Sequence, residues 1–398
     1  MPATAVDLRT LVAEECANLA ALRQDLHQHP EIQYEEHRTC GVVKRELDMI
    51  GVPYAAGLAG GTGVLAFVDG PGERAIALRA DMDALPIAEE TSLPYASTIP
   101  GKMHACGHDG HTAILIGVAR VLKRLASQGA LTRPVTLVFQ PAEEGGGGGA
   151  RMVADGCLDG SRIGRPVERA FALHGWPWLD LGYGATREGA LLASADRFNI
   201  QVLGSGGHAA WPHTVNDSVV ASAAIIMALQ TIVSRRVDPL DAAVVSVSTV
   251  HGGTAGNVLP ESVELTGTIR ALTPAVRAFL HQEVMRISQA TATAHGCRAV
   301  VGIDDGYPPT FNDPSATADV RRAMAQTFGA ARSVEYPRPV MGAEDFAYFG
   351  ERIPAAMFVL GLHRPDSPPM PALHNPNFDF TDEAIPLGVE ALCRLALG

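Results

Sequence analysis

Apolar residues recur at helical spacing from Asp7 to Gln28, at Leu11, Val12, Leu19, Leu22 and Leu26, until Pro30 ends the run. A second helical stretch covers Glu35 to Ile50. The pattern then turns to strands: Gly63 to Val68 and, after the turn Asp69-Gly70-Pro71-Gly72, the almost wholly apolar Ala75 to Ala80, of the kind buried in mid-sheet. A helix is expected from Thr112 to Ser127, a buried strand from Pro134 to Phe139, a helix around Ala150 to Asp155 and a short strand from Ala170 to Leu173. Three of these strands end in polar residues, at Asp81-Met82-Asp83, Gln140-Pro141-Ala142-Glu143-Glu144 and His174. The carboxyl ends of central strands are where open α/β sheets place their chemistry.

From about Gly184 the rhythm becomes alternating. Phe198 to Val202, Ala243 to Val250 and Ser262 to Ala271 read as strands with one wet face, Arg298 to Ile303 as a fourth, with helices at Ser218 to Ser234 and Thr273 to His295. The order β-α-β-β-α-β is ferredoxin-like. Residues 185–305 are therefore expected to form an inserted α+β domain. Residues 1–184 and 306–398 form a discontinuous α/β domain with a mixed sheet flanked by helices, completed by a helix at Ser315 to Phe328, a strand at Ala355 to Gly361 and a helix at Phe380 to Leu397.

Composition narrows the partners. With 398 residues, 47% of them hydrophobic, two cores are expected. A net charge of −12 and the lack of any Lys/Arg-rich run argue against nucleic acid. Met1 to Asn18 has acidic residues and no apolar signal core, and the runs Ala113 to Ala119 and Val219 to Leu229 are short for a bilayer, so neither a leader nor a membrane partner is expected. Six scattered cysteines fit a reducing cytoplasm, five of them as small hydrophobes.

Cys106 is the exception. It sits in His104-Ala105-Cys106-Gly107-His108-Asp109-Gly110-His111-Thr112, which suits either a metal site or a cysteine nucleophile with His108 as its base. Charged pairs directly after buried strands need partners that offset their desolvation, and Asp81, Asp83, Glu143, Glu144, His174 and His374 join this loop as candidates. Such a mixture of donors suits Zn²⁺ and, with more oxygen, Mn²⁺ or Co²⁺. Adjacent glutamates can divide the work, one binding metal while the other takes a proton from water that the metal has acidified, which is hydrolytic chemistry on an amide or related acyl bond.

Ala77 to Pro86, His104 to His111, Gln140 to Gly146 and Gly342-Ala343-Glu344-Asp345-Phe346 together resemble the aminoacylase and carboxypeptidase family of two-metal exopeptidases, most closely its amidohydrolase branch with hippurate and auxin-conjugate hydrolases. The resemblance implies a zinc-exopeptidase-like domain and an insert that closes over the site and pairs subunits into a homodimer. It implies two divalent metals (Zn, Mn, Co or Ni) bridged by Cys106, with His108 and Glu144 completing one, His174 and His374 the other, and Glu143 as general acid/base. Asp81 and Asp83 would orient the ligands, since the family's bridging Asp position is served here by Cys106. In the insert, His208 would stabilise the oxyanion, and Asn257 and Arg270 would hold the carboxylate of a small N-acyl amino acid. A dipeptidase, an N-acetyl-diaminopimelate deacetylase and a non-catalytic metal-binding scaffold are the competing readings.

Overall fold

Every residue of Ala75–Asp81 is buried in the computed structural model, which describes residues 7–398. Residues 1–6, the front of the stretch read above for a leader, lie outside the described residues. An apolar strand has no wet face to offer and must be covered on both sides. Accordingly it lies inside the sheet, between the parallel strands Val135–Gln140 and Val167–Asp180, with helix His108–Ser127 packed on it.

That sheet has eight strands among the described residues, in the order Tyr54–Leu58, Gly63–Val68, Val135–Gln140, Ala75–Asp81, Val167–Asp180, Ala355–His363, Gly184–Thr186 and Ser333–Glu335. Its middle is parallel, and Gly63–Val68 joins antiparallel, which makes it a mixed sheet. Register brings the polar strand ends together: Asp81 pairs with Gln140, so Asp81-Met82-Asp83 and Pro141 to Glu144 leave the sheet side by side. His108–Ser127 also packs against Cys16–Gln28 and Ile385–Leu397.

Three elements depart from the pattern in ways that matter for the site. The helix expected from Thr112 begins at His108, because Gly107, at φ 88°, turns the chain directly into it. Its polar first turn is buried, so the apolar pattern could not reveal it. The strand expected to end at Leu173 continues to Asp180, which leaves His174 in mid-strand. The helix from Asp7 to Gln28 is two helices, Leu8–Ala13 and Cys16–Gln28, with Glu14 and Glu15 as their caps.

The chain divides into two compact units. One takes in the chain up to Gly189 with Phe311–Pro337 and Asp345–Gly398, and the other Ala190–Thr310 with Arg338–Glu344. The short return segment, which the sequence grouped with 306–398, lies in the second unit because Val340 bridges Leu192, and Ala193 N–H donates to the carbonyls of Val340 (3.1 Å) and Gly342 (2.8 Å).

The second unit is a four-stranded antiparallel sheet in the order Ala243–His251, Ser262–Ala271, Ala195–Leu203, Arg298–Tyr307, the ferredoxin-like arrangement. Helices Ser218–Arg235 and Pro274–Ala294 pack on it and on each other. Ser218–Arg235 outruns the apolar stretch seen in sequence and has the length and composition of a membrane span, with a mean hydropathy of 1.5. Ala221, Ile225, Leu229 and Ile232 are nonetheless buried in the core of this unit, as a helix covering a sheet requires. Val219, Val220, Met227 and Val233 are exposed.

Candidate metal centre

Six candidate donors meet at the carboxyl edge of the eight-stranded sheet. Donor atoms of Cys106, His108 and His174 lie within 4.8 Å of one another, as do those of Cys106, Glu144 and His374 and those of His108, Glu143 and Glu144. Cys106 Sγ is 3.4 Å from His174 Nε2, and His374 Nε2 is 3.1 Å from Glu144 Oε1. Cys106, His108, Glu143 and His174 are buried, Glu144 is half-buried and His374 is exposed.

Backbone carbonyls fix which nitrogens can bind. A carbonyl only accepts, so His108 Nδ1–H donates to Asp83 O (2.9 Å) and His174 Nδ1–H to Gly175 O (2.7 Å). In the neutral rings each Nε2 is then a lone pair facing Cys106, the arrangement ligating histidines use. His108 Nε2 is buried and has no hydrogen-bond partner. Burial opposes a charge on His108, yet Asp81, Asp83 and Glu144 outweigh it and push its pKa up to about 10. A proton on Nε2 would find Asp81 Oδ1 only at 3.8 Å, beyond hydrogen-bond reach, whereas a cation answers both the negative field and the lone pair. The donor set therefore fits a divalent metal. His174 differs: burial, helped by His111, pulls it down to about 3 and keeps it neutral.

The same surroundings disfavour Cys106 as an unaided nucleophile. Burial and then the carboxylates of Glu144, Glu143 and Asp81 push its thiol well above the usual range. A reactive cysteine needs the opposite, an electropositive setting.

Buried carboxylates hold the Glu143-Glu144 turn by its backbone. Asp83 accepts from Glu143 N–H through Oδ1 and from Glu144 N–H through Oδ2, both at 2.9 Å. Glu36 Oε1 accepts from Ala142 N–H (2.9 Å) and from Tyr34 N–H, and its other oxygen from Thr62 Oγ1. Three successive N–H groups are thus fixed, and Ala142 is held at φ 57°, a costly conformation for a residue with a Cβ. His374 is held similarly, at φ 65°, with its N–H on Ala105 O (2.8 Å). The following glycines pack back on the turn: Gly148 N–H donates to Ala142 O (3.0 Å), and a Cβ at Gly148 would lie 1.7 Å from Pro141 O. This is a folded support, not a flexible linker.

Asp81 braces the cluster from behind. It accepts from His111 Nδ1 (2.6 Å) and Arg79 Nη1 (2.5 Å), and His111 Nε2 in turn accepts from Gly175 N–H (2.8 Å). Both His111 nitrogens are occupied, which leaves that ring a support. Arg79 also reaches Gln140 (2.9 Å) and Asp345 (2.9 Å), and Asp345 N–H donates to Glu143 Oε1 (3.3 Å). No role was assigned in sequence to Arg79, Asp345 or Glu36. A lone Arg within a buried apolar strand was the available signal, since it demands acidic partners. His27 is wholly buried between Asp109 (2.8 Å) and Glu89 (3.4 Å).

His208, Asn257 and Arg270 belong to the second unit. Gly207–His208 pairs with Val258–Leu259, and Ala209 N–H donates to Asn257 O (3.0 Å), which makes His208 and Asn257 neighbours. His208 is exposed, and its Nδ1 accepts from Ala210 N–H (3.1 Å), so the neutral ring carries its proton on Nε2 as a free donor. Arg270, on Ser262–Ala271, lines an open cleft of about 530 Å³ with Arg197, Asn199, Thr268 and Asp304.

Residues 77–398 match the family model described as peptidase family M20/M25/M40. The chain is 41% identical over 382 residues to IAA-amino acid hydrolase ILR1-like 5 of Arabidopsis thaliana, spanning 95% of this chain and 86% of that relative. It is 39% identical over 381 residues to N-acetyl-L-cysteine deacetylase of Bacillus subtilis (strain 168), spanning 96% and 86%. Among solved structures, the Bacillus subtilis YXEP protein, described as a dinuclear metal binding peptidase of the M20 family, superposes with a TM-score of 0.83 at 31% identity, over 97% of this chain and 98% of that one.

Proposed function

Because this chain belongs to peptidase family M20/M25/M40 and is a hydrolase of amide bonds, we propose that it cleaves N-acyl and N-aroyl amino acids into a carboxylic acid and a free amino acid. The observation that carries this reading is the pairing of Glu143 with Glu144 beside the shared donor Cys106, because it supplies a ligand and a separate proton carrier at one turn.

Cys106 belongs to two donor triads, which supports its role as the bridge between two divalent ions. By the family resemblance His108 with Glu144, and His174 with His374, would complete one ion each, although the triads themselves group His108 with His174 and Glu144 with His374. Zn²⁺, Mn²⁺, Co²⁺ and Ni²⁺ all suit this mixture of donors. When bound, such ions polarise an amide carbonyl and make water acidic near neutral pH. Glu143 takes the proton of the attacking water on its carboxylate and delivers it to the amine nitrogen as the C–N bond breaks. Asp83 and Glu36 keep that carboxylate in place through the backbone. His208 donates Nε2–H to the oxyanion, and Asn257 and Arg270 bind the carboxylate of the amino-acid half, Arg270 through its planar fork.

The second unit is also proposed as the pairing surface of a homodimer, supported by the exposed Val219, Val220, Met227 and Val233 on one helix. A cytoplasmic location is supported by the six free cysteines.

The test is a substrate panel. Metal-loaded protein supplied with Zn²⁺, Mn²⁺ or Co²⁺ is expected to release free amino acid from N-benzoylglycine or N-acetyl amino acids at least about tenfold faster than it cleaves dipeptides. Cleavage of dipeptides alone would make it a dipeptidase. No turnover with any metal would leave the scaffold reading.

A further inference from the structure

Strand Val167–Asp180 continues six residues beyond His174, and what it carries there is aromatic. Side chains two apart on a strand share a face, so Trp176 and Trp178 follow His174 on the side that the candidate ligand faces. The rings bear this out. His174 and Trp176 meet edge to face at 5.9 Å, Trp176 and Trp178 at 5.0 Å, and Tyr336 closes on Trp176 at 5.9 Å. Tyr336 is fixed by its N–H on Thr186 O (2.8 Å), and the far end of the strand is pinned where His363 Nδ1 meets Asp180 Oδ1 (2.9 Å).

Trp176 and Tyr336 are buried or half-buried, but Trp178 is 60% exposed. A tryptophan left in water at the end of a ring ladder that starts from a candidate metal ligand has no part in the core of its unit. Nothing in the hydrolytic chemistry uses it either.

We propose that Trp176, Trp178 and Tyr336 form an aryl-binding shelf that receives the acyl half of the substrate, so that flat aromatic acyl groups of the benzoyl or arylacetyl class are preferred over acetyl. The assignment rests on the amide-hydrolase reading above and deepens it. Its physical basis is continuity. An acyl carbon presented beside His174 with its substituent running along the strand would meet Trp176 first and Trp178 next. Aromatic rings favour offset or edge-to-face contact with one another, which an acetyl methyl cannot supply.

The test compares N-benzoylglycine with N-acetylglycine on the metal-loaded enzyme and its Trp178→Ala and Trp178→Phe variants. Trp178 is exposed, so neither substitution opens a core. Trp178→Ala is expected to raise KM for N-benzoylglycine by roughly tenfold with kcat little changed, while kcat/KM for N-acetylglycine stays within about twofold. Trp178→Phe, which keeps a flat ring, should recover most of the loss. Equal losses on both substrates, or no loss on either, would overturn the shelf while leaving the hydrolase intact. A dimer-to-monomer shift of Trp178→Ala in sedimentation, without a change in substrate preference, would assign Trp178 to subunit contact instead. If the unmodified enzyme hydrolyses neither substrate, the hydrolase reading fails and the shelf fails with it.

Discussion

His108 and His208 are both proposed to take part in the chemistry, yet the molecule treats them in opposite ways. His108 is wholly buried, its Nδ1–H is committed to Asp83 O and its Nε2 is left without a hydrogen-bond partner among carboxylates. His208 is exposed, set against Trp211 at 4.8 Å and held by one contact from Ala210 N–H. The contrast extends to their surroundings. Around His108, Asp81, Asp83, Glu36 and Arg79 fix backbone and ligands with hydrogen bonds that the fold itself makes. In the second unit, His208, Asn257 and Arg270 keep polar groups in water or facing an open cleft. The first region is organised in advance for charge, and the second keeps its polar groups open, as the proposed substrate contacts require. Preorganised electrostatics are worth most where solvent is excluded, and recognition groups must stay reachable.

The largest expected break falls on the buried side. Glu143→Gln keeps the shape of the side chain and removes its proton-carrying role, and should lower kcat by about 10²–10⁴-fold with metal content unchanged by elemental analysis. Loss of metal along with activity would instead make Glu143 a ligand. A smaller effect is expected on the open side, where Arg270→Ala should raise KM for N-acyl amino acids by about 10–100-fold at nearly constant kcat, because it removes binding shared by ground and transition states. An N-acyl amine lacking the carboxylate should be indifferent to that change. If it suffers equally, Arg270 supports the sheet instead of binding the substrate.

The smallest effect concerns stability. Burial opposes a proton on His27, but its hydrogen bonds to Asp109 and Glu89 prevail and raise its pKa from 6.5 to about 9. A folded-state value above the unfolded one stabilises fully below the unfolded pKa and is lost as pH rises through the folded value. Unfolding free energy should therefore fall between about pH 6.5 and 9, by on the order of 1–3 kcal/mol relative to His27→Gln. Parallel denaturation curves for the two proteins across that range would remove His27 from the account.

Much of this is legible in the sequence. The wholly apolar run at Ala75 announced a central strand, and the alternation after Gly184 announced a sheet with one wet face. The polar residues at strand ends did lie together, because parallel pairing puts Asp81 beside Gln140. What stayed hidden was of another kind. The helix start at His108 carries buried polar residues that apolar periodicity cannot register. Glu36, Arg79 and Asp345 act through backbone N–H groups and ion pairs from distant parts of the chain, which no local pattern encodes. Trp176 and Trp178 were hidden because the strand was expected to stop at Leu173, where its polar partner appeared.

The central claim is that divalent metal ions held by Cys106, His108, Glu144, His174 and His374 are needed for amide hydrolysis. Its most direct test is N-benzoylglycine hydrolysis by protein stripped with a strong chelator, verified metal-free, and then titrated with Zn²⁺, Mn²⁺ or Co²⁺. Activity should vanish on stripping and return as about two equivalents bind per chain. Undiminished turnover by the verified metal-free protein would contradict the account.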